Sequence, residues 1–251
     1  MARVLLIEDD ASIQRFVTFA LEEMPLELLI TGSVQEALSQ LRQGAVDLIL
    51  TDLMLPGESG IDLLEHLKSH PELAGQARAV VFSAGLTPTV KTQLQALGVW
   101  RMLSKPISVM DLIGCVEEGI GINASADGQN TPQDLGQAHE PGLNPAERQA
   151  VQEHFNGDTA FFLMYRDTCW LQFVKDIATG DQAASAMDWM ALRRLGHSLK
   201  TVLQTLGEAT ASQQGKALEQ AAEQADSHSA LLHWTELKAS LQSISGPRGP
   251  R

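Results

Sequence analysis

A change of hydrophobic period near residue 123 sets what this chain can build. Up to about Ile122, short apolar runs alternate with amphipathic stretches; beyond residue 146 the period is helical throughout. The first pattern is that of a parallel sheet covered by helices. It predicts strands over 3–8, 26–31, 46–52, 79–83 and 100–103. Helices fit between them over 12–23, 60–68, 88–97 and 108–119, with another opened by Ser33, where Glu36 three residues on has capping-box spacing. Five βα units give a doubly wound α/β domain over 1–122, whose chemistry belongs beyond the carboxyl ends of the strands.

Residues 123–145 are polar, rich in Pro and Gly and free of Lys and Arg, the composition of a flexible linker. From 146 to 246 the pattern predicts helices over 146–155, 159–177, 183–206, 209–224 and 229–243, an antiparallel all-α bundle. The final Gly-Pro-Arg-Gly-Pro-Arg reads as a disordered tail over 247–251.

Composition narrows the function classes. A net charge of −13 opposes the phosphate attraction behind non-specific nucleic-acid binding. There is no clear helix-turn-helix, so no nucleic-acid partner is expected. No run of about 18 apolar residues suggests a membrane span, and the N-terminus turns acidic at Glu8-Asp9-Asp10, too early for a signal peptide. Cys115 and Cys169 are far apart and outside any C-x-x-C spacing. A cytoplasmic protein is expected, with no membrane partner.

The strand ends carry the first candidate site. Glu8 and Asp9 close the first strand and Asp52 the third, so strands lying side by side would bring three carboxylates to one edge. Like charges that close need compensation, and an all-oxygen donor set suits Mg²⁺. Ser83 ends the fourth strand and Lys105 follows the fifth. A hydroxyl, an ammonium and a metal ion together can bind the charge on a phosphoryl group in transfer.

That ordered set, with the segment Asp52-Leu-Met-Leu-Pro-Gly57, resembles the receiver domain of two-component response regulators over essentially all of 1–122. The resemblance implies a flavodoxin-like five-stranded parallel sheet and Asp52 as phosphoacceptor. It further implies Mg²⁺ held by Glu8, Asp9, Asp52 and the carbonyl of Met54, with Ser83 and Lys105 on the phosphoryl oxygens. The family's Lys-Pro bond, here Lys105-Pro106, is commonly cis. Met102 stands where the family usually has Tyr or Phe, which predicts an unusual conformational readout of phosphorylation.

The second candidate is His197. On a helix over 191–207, Leu192, Leu195, Leu199, Val202, Leu203 and Leu206 form one apolar stripe, with His197 roughly opposite. This predicts a solvent-facing imidazole that shares its outward half with Arg193, Arg194, Lys200, Thr201 and Gln204. Such a basic surface suits an acidic receiver edge. The segment 188–200, with Leu206-Gly207 and Leu218-Glu219, is similar to the histidine phosphotransfer (HPt) domain, a helical bundle whose exposed histidine shuttles phosphoryl groups between receivers. Thr201 replaces the usual Gly and Val202 a common Ser, so Thr201, one turn from His197, is expected to crowd a docking receiver.

Together these readings predict a phosphorelay signalling protein that is no metabolic enzyme. Asp52 would be phosphorylated with Mg²⁺, and His197 would exchange the phosphoryl group. Expected partners are a sensor histidine kinase, hybrid in form or not, or an HPt donor, and a receiver of another response regulator; the linker would also permit the bundle to dock on its own receiver. The alternative is a receiver controlling a degenerate bundle that binds proteins without phosphotransfer. A haloacid-dehalogenase-like phosphatase would want an Asp where Met54 stands. His66 and His70 have a helical metal-pair spacing, but with Leu67 between them and Pro71 after them they read as a solvated pair.

Overall fold

The computed structural model describes residues 1–122 and 143–246. The linker expected over 123–145 therefore lies outside the described residues except for its last three positions, and the tail over 247–251 lies outside them entirely.

The first half is a five-stranded parallel sheet of order β2-β1-β3-β4-β5, from β1 (Ala2–Ile7), β2 (Leu26–Thr31), β3 (Leu48–Thr51), β4 (Arg78–Ser83) and β5 (Arg101–Ser104). Strands β1 and β3 are near-continuous apolar runs because helices cover both faces. These helices are α1 (Ala11–Ala20), α2 (Val34–Gln43), α3 (Gly60–Ser69), the single turn α4 (Pro71–Ala74), α5 (Pro88–Ala96) and α6 (Val109–Gly119). Their starts are written locally: Asp10, Ser33, Ser59, Thr87 and Ser108 each accept a backbone N–H of the first turn. Met102 packs among Val90, Leu94 and Leu97 beneath α5. The Lys105-Pro106 peptide bond is cis.

The second half is helical: α7 (Pro145–His154), α8 (Thr159–Ala186), α9 (Trp189–Thr205), α10 (Ala209–Glu223) and α11 (Ser227–Ser245). Sequence reading puts a break near residue 180; the chain instead runs helical to Ala186 and turns at Met187, with φ 53°, before Asp188 caps α9. Gly180 stays helical because a side chain is unwanted there: an added Cβ would sit 2.2 Å from the Trp234 ring of α11. Gly196 and Gly215 do the same work between α9 and α10, where a Cβ on Gly196 would meet the Gly215 carbonyl at 2.8 Å and the Glu219 nitrogen at 2.9 Å.

The two halves share one hydrophobic core, continuous from Val4 and Leu50 of the sheet to Leu218 and Leu241 of the bundle. Helix α1 makes the join. Phe16 meets Phe155 edge-on at 5.8 Å and Tyr165 at 5.6 Å, and Phe19 meets Phe161 at 5.9 Å. Among the described residues, no helix is long and apolar enough to cross a membrane.

Candidate functional site

Sheet hydrogen bonds assemble the first half of the site. The Asp52 N–H donates to the Ile7 carbonyl at 2.9 Å and that of Lys105 to the Ser83 carbonyl at 3.1 Å, so the residues that leave the strand ends converge. The Lys105 ammonium donates to Glu8 and, at 2.6 Å, to Asp52 Oδ2. The other Asp52 oxygen accepts from the Leu53 and Met54 N–H groups. Glu8, Asp52, Ser83 and Lys105 are all buried.

The charge balance is tilted. Burial pushes Glu8 up to about 8, Lys105 opposing and Asp52 and Asp10 adding repulsion. Burial also raises Asp9 to about 6, with Asp10 and Asp52 reinforcing it. Burial acts upward on Asp52 too, yet Lys105, His197 and hydrogen bonds from Lys105 and Ser83 outweigh it and hold this carboxyl below the usual range. One ammonium thus faces more carboxylate than it neutralises. That surplus and the all-oxygen donors fit a Mg²⁺ ion. No three His, Cys, Asp or Glu side chains among the described residues form a ready metal cluster, because Glu8 and Asp52 both turn an oxygen to Lys105.

The second half of the site comes from α9, and here the sequence expectation is corrected. His197 does lie opposite the apolar stripe, but it is 3% exposed rather than solvent-facing, because it is turned toward the sheet domain across a shared cleft. Periodicity separates the two faces of a helix without saying whether water or another domain meets the second. Nor is its neighbourhood freely basic: Arg193 is paired with Glu223 at 2.9 Å and Lys200 with Glu219 at 2.6 Å. Thr201 is buried, its hydroxyl 3.5 Å from the His197 carbonyl.

Glu219, on α10, also holds His197 Nδ1, at 2.7 Å. A carboxylate only accepts, so Nδ1 carries a hydrogen and, in the neutral ring, Nε2 keeps the lone pair. Burial works against the charge on Glu219, but hydrogen bonds from His197 and Lys200 overcome it and hold Glu219 at about 2. His197 Nε2 is buried with no hydrogen-bond partner among the described residues. His197 borders a cleft of about 500 Å³ shared by both halves, lined by Met54, Ser83 and Thr87 from the sheet domain and by Arg194 and Glu219 from the bundle.

Two contributors to this interface escape sequence reading. Ser198 of α9 and Asp176 of α8 line a second cleft with Asp9, Arg194 and Asp10, the cap of α1. Burial raises Asp176 to about 7; the Gln172 amide, donating at 2.9 Å, and Lys175 oppose the rise while Asp10 adds to it. In the unfolded chain Asp176 ionises near pH 4, so its contribution makes stability fall as pH rises from about 4 to about 7, by on the order of a few kcal/mol. Asp176→Asn should flatten that part of the slope. Urea midpoints for both proteins across this range provide the check, and parallel slopes would refute it.

Residues 4–117 match the response regulator receiver domain family, and this part of the chain is a receiver domain. Among curated relatives, the chain is 31% identical over 140 residues to the DNA-binding transcriptional regulator NtrC of Azospirillum brasilense, covering 55% of this chain and 28% of that protein. It is 30% identical over 115 residues to the phosphate regulon transcriptional regulatory protein PhoB of Escherichia coli (strain K12), covering 46% and 50%. The chain thus spans half or less of the length of these two relatives. A putative response regulator structure from Chloroflexus aurantiacus J-10-fl aligns with a TM-score of 0.45 and 23% identity, over 48% of this chain and 98% of that one. The bundle lies beyond the family match.

Proposed function

We propose that this is a phosphorelay protein in which Asp52 accepts a phosphoryl group and His197, on an HPt-like bundle, exchanges it. The observation that carries the reading is the state of His197: Nδ1 tied to Glu219, Nε2 bare, at the cleft beside the phosphoacceptor pocket. Most buried polar side-chain atoms are hydrogen-bonded, so a bare Nε2 on a cleft marks a group kept for a ligand. Glu8, Asp9, Asp52 and the Met54 carbonyl are the residues that would hold Mg²⁺, which when bound neutralises phosphoryl charge. Lys105 and Ser83 bind phosphoryl oxygens from the other side, and the Leu53 and Met54 N–H groups orient the Asp52 carboxylate for in-line attack.

This role makes the chain a phosphoacceptor and carrier with no metabolic turnover of its own. Its donor would be a sensor histidine kinase, hybrid or simple, or an HPt protein. The relatives' names concern transcriptional regulators, the first of them DNA-binding; the net charge of −13 here favours a protein-directed output instead.

Intact-mass and acid/base-stability measurements test the reading on full-length protein, Asp52→Ala and His197→Ala, each with Mg²⁺ and acetyl phosphate. Base-labile phosphate that needs Asp52, plus acid-labile phosphate that needs His197, is the expected result. Phosphate on Asp52 alone would instead favour a bundle that binds partners without transfer.

A further inference from the structure

The proposed phosphoacceptors Asp52 and His197 lie in the two halves of a single packed body, and both are 3% exposed. We infer that the receiver served by His197 is the one in its own chain, and that the aromatic seam between α1 and α8 keeps the receivers of other proteins from His197. The inference rests on the phosphorelay reading and names the partner it leaves open.

Three observations converge. The seam is apolar: Phe16 and Tyr165 are 4% and 1% exposed, and they belong to a core running through both halves. Domains joined by polar contacts move freely, whereas a large hydrophobic join holds them together. Ser198 and Arg194 of α9 meet Asp9 and Asp10, the cap of α1, around one cleft beside the acidic pocket. Finally, His197 lines one cleft with Met54 and Ser83 of the phosphoacceptor pocket. A receiver from another chain could reach Nε2 only by displacing this one.

The exchange balances within the pair. In one direction the bond from phosphorus to Nε2 breaks as a bond to an Asp52 carboxylate oxygen forms; the imidazole leaves neutral, its Nδ1 hydrogen still donated to Glu219. The reverse step restores the first bond. No proton is gained or lost by the phosphoryl group itself, and the shared cleft of about 500 Å³ admits a small phosphodonor from solution.

Mixing single-acceptor chains tests this. His197→Ala protein is charged on Asp52 with labelled acetyl phosphate, freed of donor and mixed at micromolar concentration with Asp52→Ala protein. Phosphohistidine should form in the unmixed full-length chain at a rate independent of concentration. In the mixture it should form at least roughly 100-fold more slowly, since a tethered partner acts at millimolar or higher effective concentration. Phe19→Glu in both mixed chains, at the partly exposed edge of the seam, should recover transfer between chains. Mixed transfer as fast as the unmixed rate, or no gain from Phe19→Glu, overturns the inference and leaves the relay standing. No phosphohistidine in the full-length chain removes both.

Discussion

Glu219→Ala should slow phosphohistidine formation at His197 by about 100-fold, at the lower end of what a positioned acid–base partner contributes. The carboxylate makes two short bonds, 2.7 Å to His197 Nδ1 and 2.6 Å to Lys200 Nζ. It is ionised throughout the neutral range, being held at about 2. Without it the neutral ring can place its hydrogen on either nitrogen and rotate about its side-chain bonds, so Nε2 is neither reliably bare nor reliably aimed. Glu219→Gln keeps an oxygen acceptor for Nδ1 and should retain most of the rate. A purely structural role would instead show Gln and Ala equally impaired, with melting temperatures falling in step. Equal rates for wild type and Glu219→Ala would end the argument.

Phe155→Ala should cost about 3–5 kcal/mol of stability, the range for removing a buried aromatic side chain. The ring is 1% exposed and sits at the centre of the seam, with ring centres of Phe16, Phe161, Phe162 and Tyr165 between 5.3 and 5.8 Å away. Because Phe16 comes from the receiver and the others from the bundle, the lost contacts lie on both sides of the join. Denaturant unfolding should therefore show a lower midpoint, and probes in the two halves should no longer report one coincident transition. Leu171→Ala, at a position 75% exposed, is the control and should fall within about 0.5 kcal/mol of wild type. A cost below about 1 kcal/mol for Phe155→Ala would mean that the halves hold together by other means.

The receiver half was readable because its information is local. Each strand is a short apolar run closed by the residue that matters, and each helix is opened by its own cap, so Asp52, Ser83 and Lys105 could be ordered from the chain alone. Parallel pairing of β1 with β3 then brings Glu8 to Asp52. The double pairing of Lys105 was not readable, since it depends on how far one ammonium reaches across three strands. In the bundle the same logic failed twice. Gly180 looks like a breaker until the Trp234 ring fills the space of its missing side chain, and His197 looks solvated until a second domain covers it. Glu219 was noticed as part of a pattern, but its bond to His197 spans 22 residues and two helices, which no spacing rule encodes.

The close crossing of α9 and α10 has a mechanical consequence. With only hydrogens at Gly196 and Gly215, the main chains of the two helices touch, and the separation between the imidazole and its carboxylate is set by backbone rather than by adaptable side chains. A methyl group at 196 would act as a shim, prising Glu219 away from a ring it neighbours only through that contact. Since both members of the pair ride on the same two helices, the ring's alignment belongs to the bundle itself. The receiver of the same chain need only present a target.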